Sequence, residues 1–136
     1  MSTRPLRVEV AARARAVSEI RSAVRAWLMS HQVVGERAEE ILLGVSEAVT
    51  NSVEHAYPPD APGVVTVRAD VRDRVVRVSV SDRGHWRAAD RPRTATDRFR
   101  GRGLRILRAL ASHLRVDHGT NASPGTTVEA DFPLPT

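Results

Sequence analysis

The chain has 136 residues, the length of one domain that can bury a hydrophobic core of its own. Apolar residues make up 41% and charged residues 27% of it, as in ordinary globular domains. The chain has no cysteine, which excludes disulfide bonds and thiolate metal sites. It shows neither a signal-peptide pattern nor a stretch of about 20 apolar residues. We therefore expect a single cytoplasmic domain over residues 1–136, without membrane contact.

The net charge of +5 comes from arginine alone, because the chain contains no lysine. This bias is typical of a GC-rich genome. Nine arginines lie between Arg83 and Arg108, against the acids Asp90 and Asp97. Such a stretch could bind a nucleotide, a nucleic acid or an acidic protein. Because no aromatic stacking pattern or DNA-reading motif accompanies it, we favour a solvent-exposed surface over direct nucleic-acid binding.

The first half of the chain predicts one strand and two helices. Leu6, Val8 and Val10 alternate with polar residues, as in a half-buried strand. A second helix is predicted from Gly35 to about Tyr57, because two prolines follow and cannot continue it. The first helix lies between the strand and this second helix, and its apolar side consists of Val17, Ile20, Val24, Trp27 and Leu28.

The second half predicts a hairpin, a loop, a helix and two closing strands. Alternating valines between residues 65 and 80 indicate two half-buried strands. Residues 83–100 show no periodicity, and we interpret the part at about 87–100 as a lid. Closing strands are predicted around 114–118 and 127–134. We expect an α+β two-layer sandwich, in which three helices cover one face of a mostly antiparallel, mixed sheet. The third helix is predicted from Leu104, Leu107, Leu110, Ala111 and Leu114.

The second predicted helix carries a polar stripe beside its apolar side. Asn51 and Gly44 are unfavourable inside a helix, Gly by about 1 kcal/mol relative to Ala. Their place in one stripe indicates that something packs closely against it, although a solvated face is the alternative. Glu47 and Asn51 stand one turn apart, and a carboxylate with an amide oxygen suits hydrated Mg²⁺ beside phosphates. The stripe consists of Glu40, Gly44, Glu47, Asn51, Glu54 and His55.

Two polar residues are predicted to point inward from the sheet. Asp82 shares the parity of the valines before it, and Thr126 shares the parity of the apolar residues after it. A buried carboxylate needs a partner. Arg83 or Arg87 could serve, and so could the amino group of a purine ligand.

Two glycine-containing turns complete the pattern. Gly101 and Gly103 precede the third helix, where backbone N–H groups and the helix dipole favour an anion. A GxG sequence alone is a weak signal. The turn at 123–126 is also ordinary by itself. The combination with the polar stripe and the inward Asp82 is what indicates a ligand site.

The order of these features resembles the four boxes of the GHKL ATP-binding superfamily, which includes gyrase, heat-shock chaperones, histidine kinases and mismatch-repair proteins. Residues 47–57, EAVTNSVEHAY, resemble the N box in the form found in bacterial anti-sigma-factor serine kinases. Residues 82–84, 101–104 and 125–126 resemble the three glycine boxes. The resemblance spans essentially the whole chain and implies a Bergerat-type ATP-binding fold.

The resemblance also implies a role for each matched residue, with ATP and Mg²⁺ as cofactors. Glu47 would be the general base that accepts the proton of an attacking serine hydroxyl. Asn51 would coordinate the Mg²⁺ that bridges the ATP phosphates. Asp82 would bind the adenine amino group. Further nucleotide-binding residues are implied at His55, Gly84, Gly101, Gly103, Leu104 and Thr126.

The implied partners are an anti-sigma-factor antagonist, which carries the serine to be phosphorylated, and a sigma factor. A homodimer is also implied. The alternative is an ATP-binding regulatory module with weak or no phosphotransfer, excised from a larger phosphatase or sensor protein. One position departs from the pattern, since Trp86 stands where the first glycine box usually has a second glycine. Its indole either covers the adenine pocket or packs in the core.

Overall fold

The computed structural model describes residues 4–58, 61, 63–84, 102–120 and 122–135. The predicted lid at 87–100 lies outside these residues. Within them, the elements follow the predicted order. They are β1 (Leu6–Ala11), α1 (Ala16–Ser30), α2 (Glu36–His55), β2 (Val64–Arg72), β3 (Val75–Asp82), α3 (Arg102–Leu110), β4 (His113–Gly119) and β5 (Pro124–Pro133).

The described strands form one sheet in the order β1-β2-β3-β5-β4, and each neighbouring pair is antiparallel. The predicted two-layer α+β architecture is confirmed. The expected parallel component of a mixed sheet does not occur among these five strands. One inward-facing row crosses the whole sheet and displays its register: Val8, Val67, Val80, Val128 and Val116.

Helix α1 ends at a left-handed residue that satisfies its last carbonyls. Gln32 has φ of +62°, and its N–H donates to the carbonyl of Met29 at 2.9 Å. The N–H of Val33 donates to the carbonyl of Leu28 at 2.8 Å. This Schellman arrangement brings the buried Val33 back onto the core and directs the chain into α2.

Helix α2 lies at the centre of the helix layer and contacts β2, β3 and β5. Helix α1 packs on β1 and α3 packs on β4, each beside α2. In the part of the chain that the structure describes, no helix is both long and apolar enough to cross a bilayer. The side of α2 predicted to face the sheet is buried as expected, at Ile41, Val45, Ala48, Val49, Ser52 and Ala56.

Gly44 in the polar stripe is explained by helix packing. A Cβ atom at Gly44 would overlap Cδ2 of Leu107 on α3 and would lie 3.6 Å from the ring of Phe132. The close neighbour that the sequence indicated here is therefore α3 itself. The ligand interpretation of the stripe then depends on Asn51 and Glu47.

Helix α3 ends earlier than the apolar spacing predicted. The helix stops at Leu110, and Leu114 lies in β4 opposite Ala130. The N–H of Ser112 already donates to the carbonyl of Asp131 at 2.8 Å. Hydrogen bonding to β5 thus takes over from the helix, which is why the predicted helical position of Leu114 was wrong.

The outer face of the sheet is charged, and on it the exposed Arg77 forms an ion pair with the buried Asp131. Arg77 donates from Nε to Oδ1 of Asp131 at 2.8 Å and from Nη2 to Oδ2 at 3.1 Å. Asp131 is only 8% exposed. The hydrogen bonds from Arg77 lower the pKa of the Asp131 carboxyl below its ordinary value, with attraction to the guanidinium adding to the effect.

This ion pair predicts a specific loss of stability in acid. In the unfolded chain, Asp131 binds its proton at an ordinary pKa of about 3.9. The stability that the pair contributes is therefore complete above about pH 4 and is lost as the pH falls through the lower folded pKa. We expect Asp131→Asn to be less stable than the wild type at neutral pH, but to lose less stability on acidification. Urea denaturation at about pH 7 and about pH 3 measures both quantities.

The exposed Asp73→Asn serves as the control, since it makes the same chemical change in the β2–β3 turn. It should keep the wild-type response to acid. An equal loss of stability in wild type and Asp131→Asn would contradict the assigned pKa direction.

Candidate functional site

Asp82 ends β3 and points inward, as its parity predicted, with 5% of its surface exposed. Ser52 Oγ donates to its Oδ2 at 2.8 Å. The backbone N–H groups of Gly84 and Thr126 each donate to its Oδ1 at 3.2 Å. Asp82 therefore ties α2, the turn after β3 and the start of β5 to one carboxylate. Among the described residues, a hydroxyl and two backbone amides hold this carboxylate. Of the two arginines considered from the sequence, Arg87 lies outside the described residues.

Two glycines let these elements approach one another. A Cβ atom at Gly84 would overlap the backbone carbonyl oxygen of Ala56, at the end of α2. Gly125 has φ of +137°, and a Cβ there would overlap the backbone oxygen of Asp82. Close packing of the protein on itself thus requires glycine in the first and third boxes, independently of any ligand.

We expect Gly84→Ala to destabilise the fold by about 1–3 kcal/mol, because the added methyl group meets rigid backbone. Urea denaturation measures the loss. Arg83→Ala is the matched control, since the Arg83 side chain is exposed on the same turn. Its effect should stay within about 0.5 kcal/mol. A Gly84→Ala variant as stable as the wild type would show that the turn does not approach Ala56 so closely.

Tyr57 also holds the turn after β3 in place through hydrogen bonds of its hydroxyl group. Its hydroxyl donates to the carbonyl of Val64 at 2.8 Å and accepts the N–H of Arg83 at 2.8 Å. A Cβ at Gly63 would overlap the Tyr57 ring, so the ring packs closely against this backbone. The end of α2 is thereby joined to the start of β2 and the end of β3. This positioning role was missed, because the sequence placed Tyr57 only at the end of a helix.

Asn51 precedes Ser52 on α2, and its burial is not explained by the hydrogen bonds of the described residues. Only 4% of its surface is exposed, and its buried Nδ2 has no hydrogen-bond partner among the described residues. Buried amides are almost always hydrogen-bonded. Because a half-turn of the amide exchanges nitrogen and oxygen, either atom can face a ligand. This unsatisfied amide fits a site for a polar ligand.

The other members of the stripe lie where the helix predicted. Glu47 stands one turn before Asn51 and is half-buried. His55 stands one turn after it and is also half-buried, with Nε2 3.8 Å from the Glu54 carboxylate. A carboxylate, an amide and an imidazole thus follow one line along α2.

A magnesium ion at this line would need ligands from outside the protein. Within the described ranges, no group of three or more His, Asp or Glu side chains gathers to hold a metal. Mg²⁺ is commonly bound by one or two protein oxygens together with phosphate oxygens and water. The Asn51 amide fits that ligand set. The predicted role of Asn51 is therefore compatible with the geometry.

Thr126 lies on the inner face beside Asp82, with 3% of its surface exposed. Its Oγ1 lies 3.3 Å from Nδ1 of His118 on β4. His118 was not among the predicted site residues. The signal was present, because His118 shares the inward parity of Leu114 and Val116. Ser52 was likewise assigned to the packing side of α2 without a role toward Asp82.

The second glycine box is described in part. Gly103 lies in the first turn of α3, which begins at Arg102. The Leu104 side chain is 1% exposed and belongs to the hydrophobic core, so any contact of Leu104 with a ligand runs through its backbone. Gly101, together with Trp86 and Arg87, lies outside the described residues. The assignment of Gly101 to the phosphates stays a prediction.

The histidine kinase-like ATPase domain family matches residues 10–132 of the chain. Blue-light-activated histidine kinase 2 of Erythrobacter litoralis (strain HTCC2594) is 37% identical over 103 residues, covering 73% of this chain and 28% of that protein. The anti-sigma F factor of Geobacillus stearothermophilus is 33% identical over 79 residues, covering 58% and 54%. Serine-protein kinase RsbW of Bacillus subtilis (strain 168) is 29% identical over 103 residues, covering 68% and 64%.

Among solved structures, the chain is similar to the RsbU and RsbW domains of Rv1364c from Mycobacterium tuberculosis. The TM-score is 0.75 at 29% identity, and the match covers 97% of this chain and 33% of that one. This chain thus spans less than two thirds of each of these relatives. The match over residues 10–132 confirms the resemblance drawn from the four boxes, and the chain belongs to the histidine kinase-like ATPase domain family.

Proposed function

We propose that the domain is an ATP-dependent protein serine kinase that acts as an anti-sigma factor. It binds Mg²⁺–ATP between α2 and the inner face of the sheet, and it phosphorylates a serine of an anti-sigma-factor antagonist. The observation that carries the proposal is the cluster of Ser52, Asp82 and Thr126 beside the unsatisfied amide of Asn51. The similarity to an anti-sigma F factor and to RsbW supports the choice of partner.

The purine binds at the Asp82 end of the cleft. The carboxylate accepts a hydrogen bond from the amino group of adenine, in an orientation held by Ser52 and by the N–H groups of Gly84 and Thr126. The Thr126 hydroxyl lies next to that carboxylate on the inner face and contacts the adenine directly or through water. Burial strengthens these contacts, since little water competes for them.

The phosphates bind toward Asn51 and the start of α3. The Asn51 amide oxygen, with His55 one turn away, would hold the Mg²⁺ that accompanies the triphosphate. The N–H groups of Gly103 and Leu104 and the positive end of the α3 dipole bind the phosphate oxygens, and we assign Gly101, which precedes this helix in the sequence, to the same role. Mg²⁺ held there would supply charge neutralisation of the phosphates.

Glu47 provides the proton transfer. Its carboxylate accepts the hydroxyl proton of the substrate serine while the serine oxygen forms a bond to the γ-phosphorus. The bond between that phosphorus and the β–γ bridging oxygen breaks, and its electron pair leaves with ADP. Most of the rate enhancement in such a reaction comes from positioning and charge stabilisation, to which a general base adds about 10²- to 10⁴-fold.

The partners follow from this assignment. One is the antagonist protein whose serine is phosphorylated, and the other is a sigma factor that the kinase sequesters. We further propose that the kinase is a cytoplasmic homodimer. Neither nucleic acid nor a membrane takes part.

A second candidate is an ATP-binding module of a larger protein, with weak or no phosphotransfer of its own. Two comparisons favour this candidate, because the chain covers only 28% of the histidine kinase and 33% of the Rv1364c chain. Both candidates use the same nucleotide cleft. They differ in whether a phosphoserine is formed.

The test is incubation of the purified chain with [γ-³²P]ATP, Mg²⁺ and candidate antagonist proteins, followed by phosphoamino-acid analysis. The serine-kinase proposal predicts labelled phosphoserine on one antagonist. Nucleotide binding without label on any antagonist would favour the regulatory module. Label on a histidine would contradict the serine kinase.

A further inference from the structure

We propose that His118 is a positioning residue that orients the Thr126 hydroxyl and thereby makes the cleft prefer adenine to guanine. The inference rests on the proposed nucleotide-binding function, because it concerns the purine end of the same cleft. It adds a residue of β4 to a site otherwise built from α2, β3, β5 and the start of α3.

His118 reaches Thr126 at an irregularity in the pairing of β4 with β5. The register shifts between Asp117 and Gly119, so that His118 faces the two residues Gly125 and Thr126. Such bulges re-aim side chains and are common beside functional sites. Here the bulge brings Nδ1 of His118 to 3.3 Å from Oγ1 of Thr126.

The state of the imidazole decides what the hydroxyl can offer a ligand. A threonine hydroxyl has one hydrogen to donate and two lone pairs that accept. When Nδ1 carries no hydrogen, the hydroxyl of Thr126 donates to His118 and presents only acceptors to the cleft. When Nδ1 carries the hydrogen, His118 donates to Oγ1 and the hydroxyl hydrogen turns toward the ligand.

Asp82 determines which of the two arrangements suits a purine. Its buried carboxylate complements the amino group of adenine, and adenine carries the acceptor N1 beside that amino group. Guanine presents the opposite pattern, a carbonyl oxygen and an N1–H donor. A donating Thr126 hydroxyl therefore completes the pattern for adenine and opposes guanine. The Nδ1–H form of His118 is the one that produces it.

The test compares ATP and GTP binding by calorimetric titration with Mg²⁺ at neutral pH. Removing the imidazole in His118→Ala lets the hydroxyl rotate. ATP affinity should fall about threefold to tenfold, the value of one neutral hydrogen bond, and the preference for ATP over GTP should fall by a similar factor. His118→Asn can donate from about the position of Nδ1 and should restore both. His113→Ala, on the exposed outer face of the same strand, should leave both unchanged.

Two further measurements separate orientation from packing. In a Thr126→Val background, His118→Ala should change ATP affinity by less than about twofold, because no hydroxyl remains to be oriented. The ¹⁵N spectrum of the wild-type imidazoles, assigned by the signal lost in His118→Ala, should show hydrogen on Nδ1 of His118. This spectrum is recorded on the wild-type chain, and a variant is needed only to assign the signal. His118→Asn can replace His118→Ala for that assignment.

Unchanged ATP affinity and selectivity in His118→Ala would overturn the inference. So would an equal loss in the Thr126→Val background, or an Nδ1 that carries no hydrogen. A wild-type chain that binds ATP normally in these cases leaves the proposed function intact. A wild-type chain that binds neither nucleotide would instead overturn the proposed function, and this inference with it.

Discussion

Glu47→Gln is expected to lose phosphotransfer to the protein serine by about 10²- to 10⁴-fold, while ATP affinity stays within about threefold of the wild type. The amide of Gln keeps the size of the carboxylate but cannot accept the serine proton. Glu47 is half-buried on the line of α2 that passes Asn51, and it does not belong to the Asp82 cluster that we propose as the purine site. Transfer is measured with [γ-³²P]ATP and affinity by calorimetric titration.

Glu40→Gln is the matched control for this variant. Glu40 lies on the same polar stripe, two turns before Glu47, where it pairs with Arg37 at 3.1 Å. Its replacement makes the same chemical change on the same helix and should leave transfer unchanged. Wild-type transfer in Glu47→Gln would contradict the assignment of Glu47 as the general base. An equal loss of transfer and of ATP affinity would place Glu47 in nucleotide binding.

Asp82→Asn should have the largest effect on nucleotide affinity. The Asn oxygen can still accept the N–H groups of Gly84 and Thr126, and Ser52 can turn to accept from the new amide. The fold is therefore retained. The new amide nitrogen, however, is a donor where adenine also presents a donor. Loss of a hydrogen bond to a charged group, about 1.5–3 kcal/mol, should weaken ATP binding about 10- to 150-fold.

Asp131→Asn provides the comparison, because it removes the same charge on the outer face of the sheet. It should bind ATP like the wild type. Equal ATP affinities in wild type and Asp82→Asn would mean that the purine lies elsewhere. The melting temperature of each variant without nucleotide shows whether a loss of affinity is only a loss of fold.

Strand and helix periodicity were enough to predict that three polar side chains are buried. Because side chains alternate along a strand, the burial of Asp82 and Thr126 could be predicted from the valines next to them. The helical wheel of α2 placed Asn51 beside the apolar side in the same way. These are local rules, and the antiparallel sheet that follows from them is confirmed.

The partners of these side chains could not be predicted, because they come from distant parts of the chain. Nothing local to Asp82 indicates that Ser52, 30 residues earlier in the chain, would donate to its carboxylate. Gly44 indicated a close neighbour, but nothing local to it indicates that this neighbour is Leu107 on α3. The spacing of Leu114 fits a helix and a strand equally well, and only its pairing with Ala130 decides between them.

For the contact of His118 with Thr126, the direction of the side chain could be predicted from the sequence, but its partner could not. The inward parity of His118 was readable from β4, since it follows Leu114 and Val116 at intervals of two. Its contact with Thr126 depends on the bulge between β4 and β5, which no local pattern predicts.

The most direct test of the nucleotide cleft is the unfolding of the wild-type chain with and without Mg²⁺–ATP. A ligand that binds only the folded state at a hundred times its dissociation constant stabilises it by about 2.7 kcal/mol. We expect a gain of this size with Mg²⁺–ATP, and a much smaller gain with Mg²⁺ alone. Unfolding that does not change at any attainable Mg²⁺–ATP concentration would contradict the claim that Asp82, Thr126 and Asn51 form an ATP site.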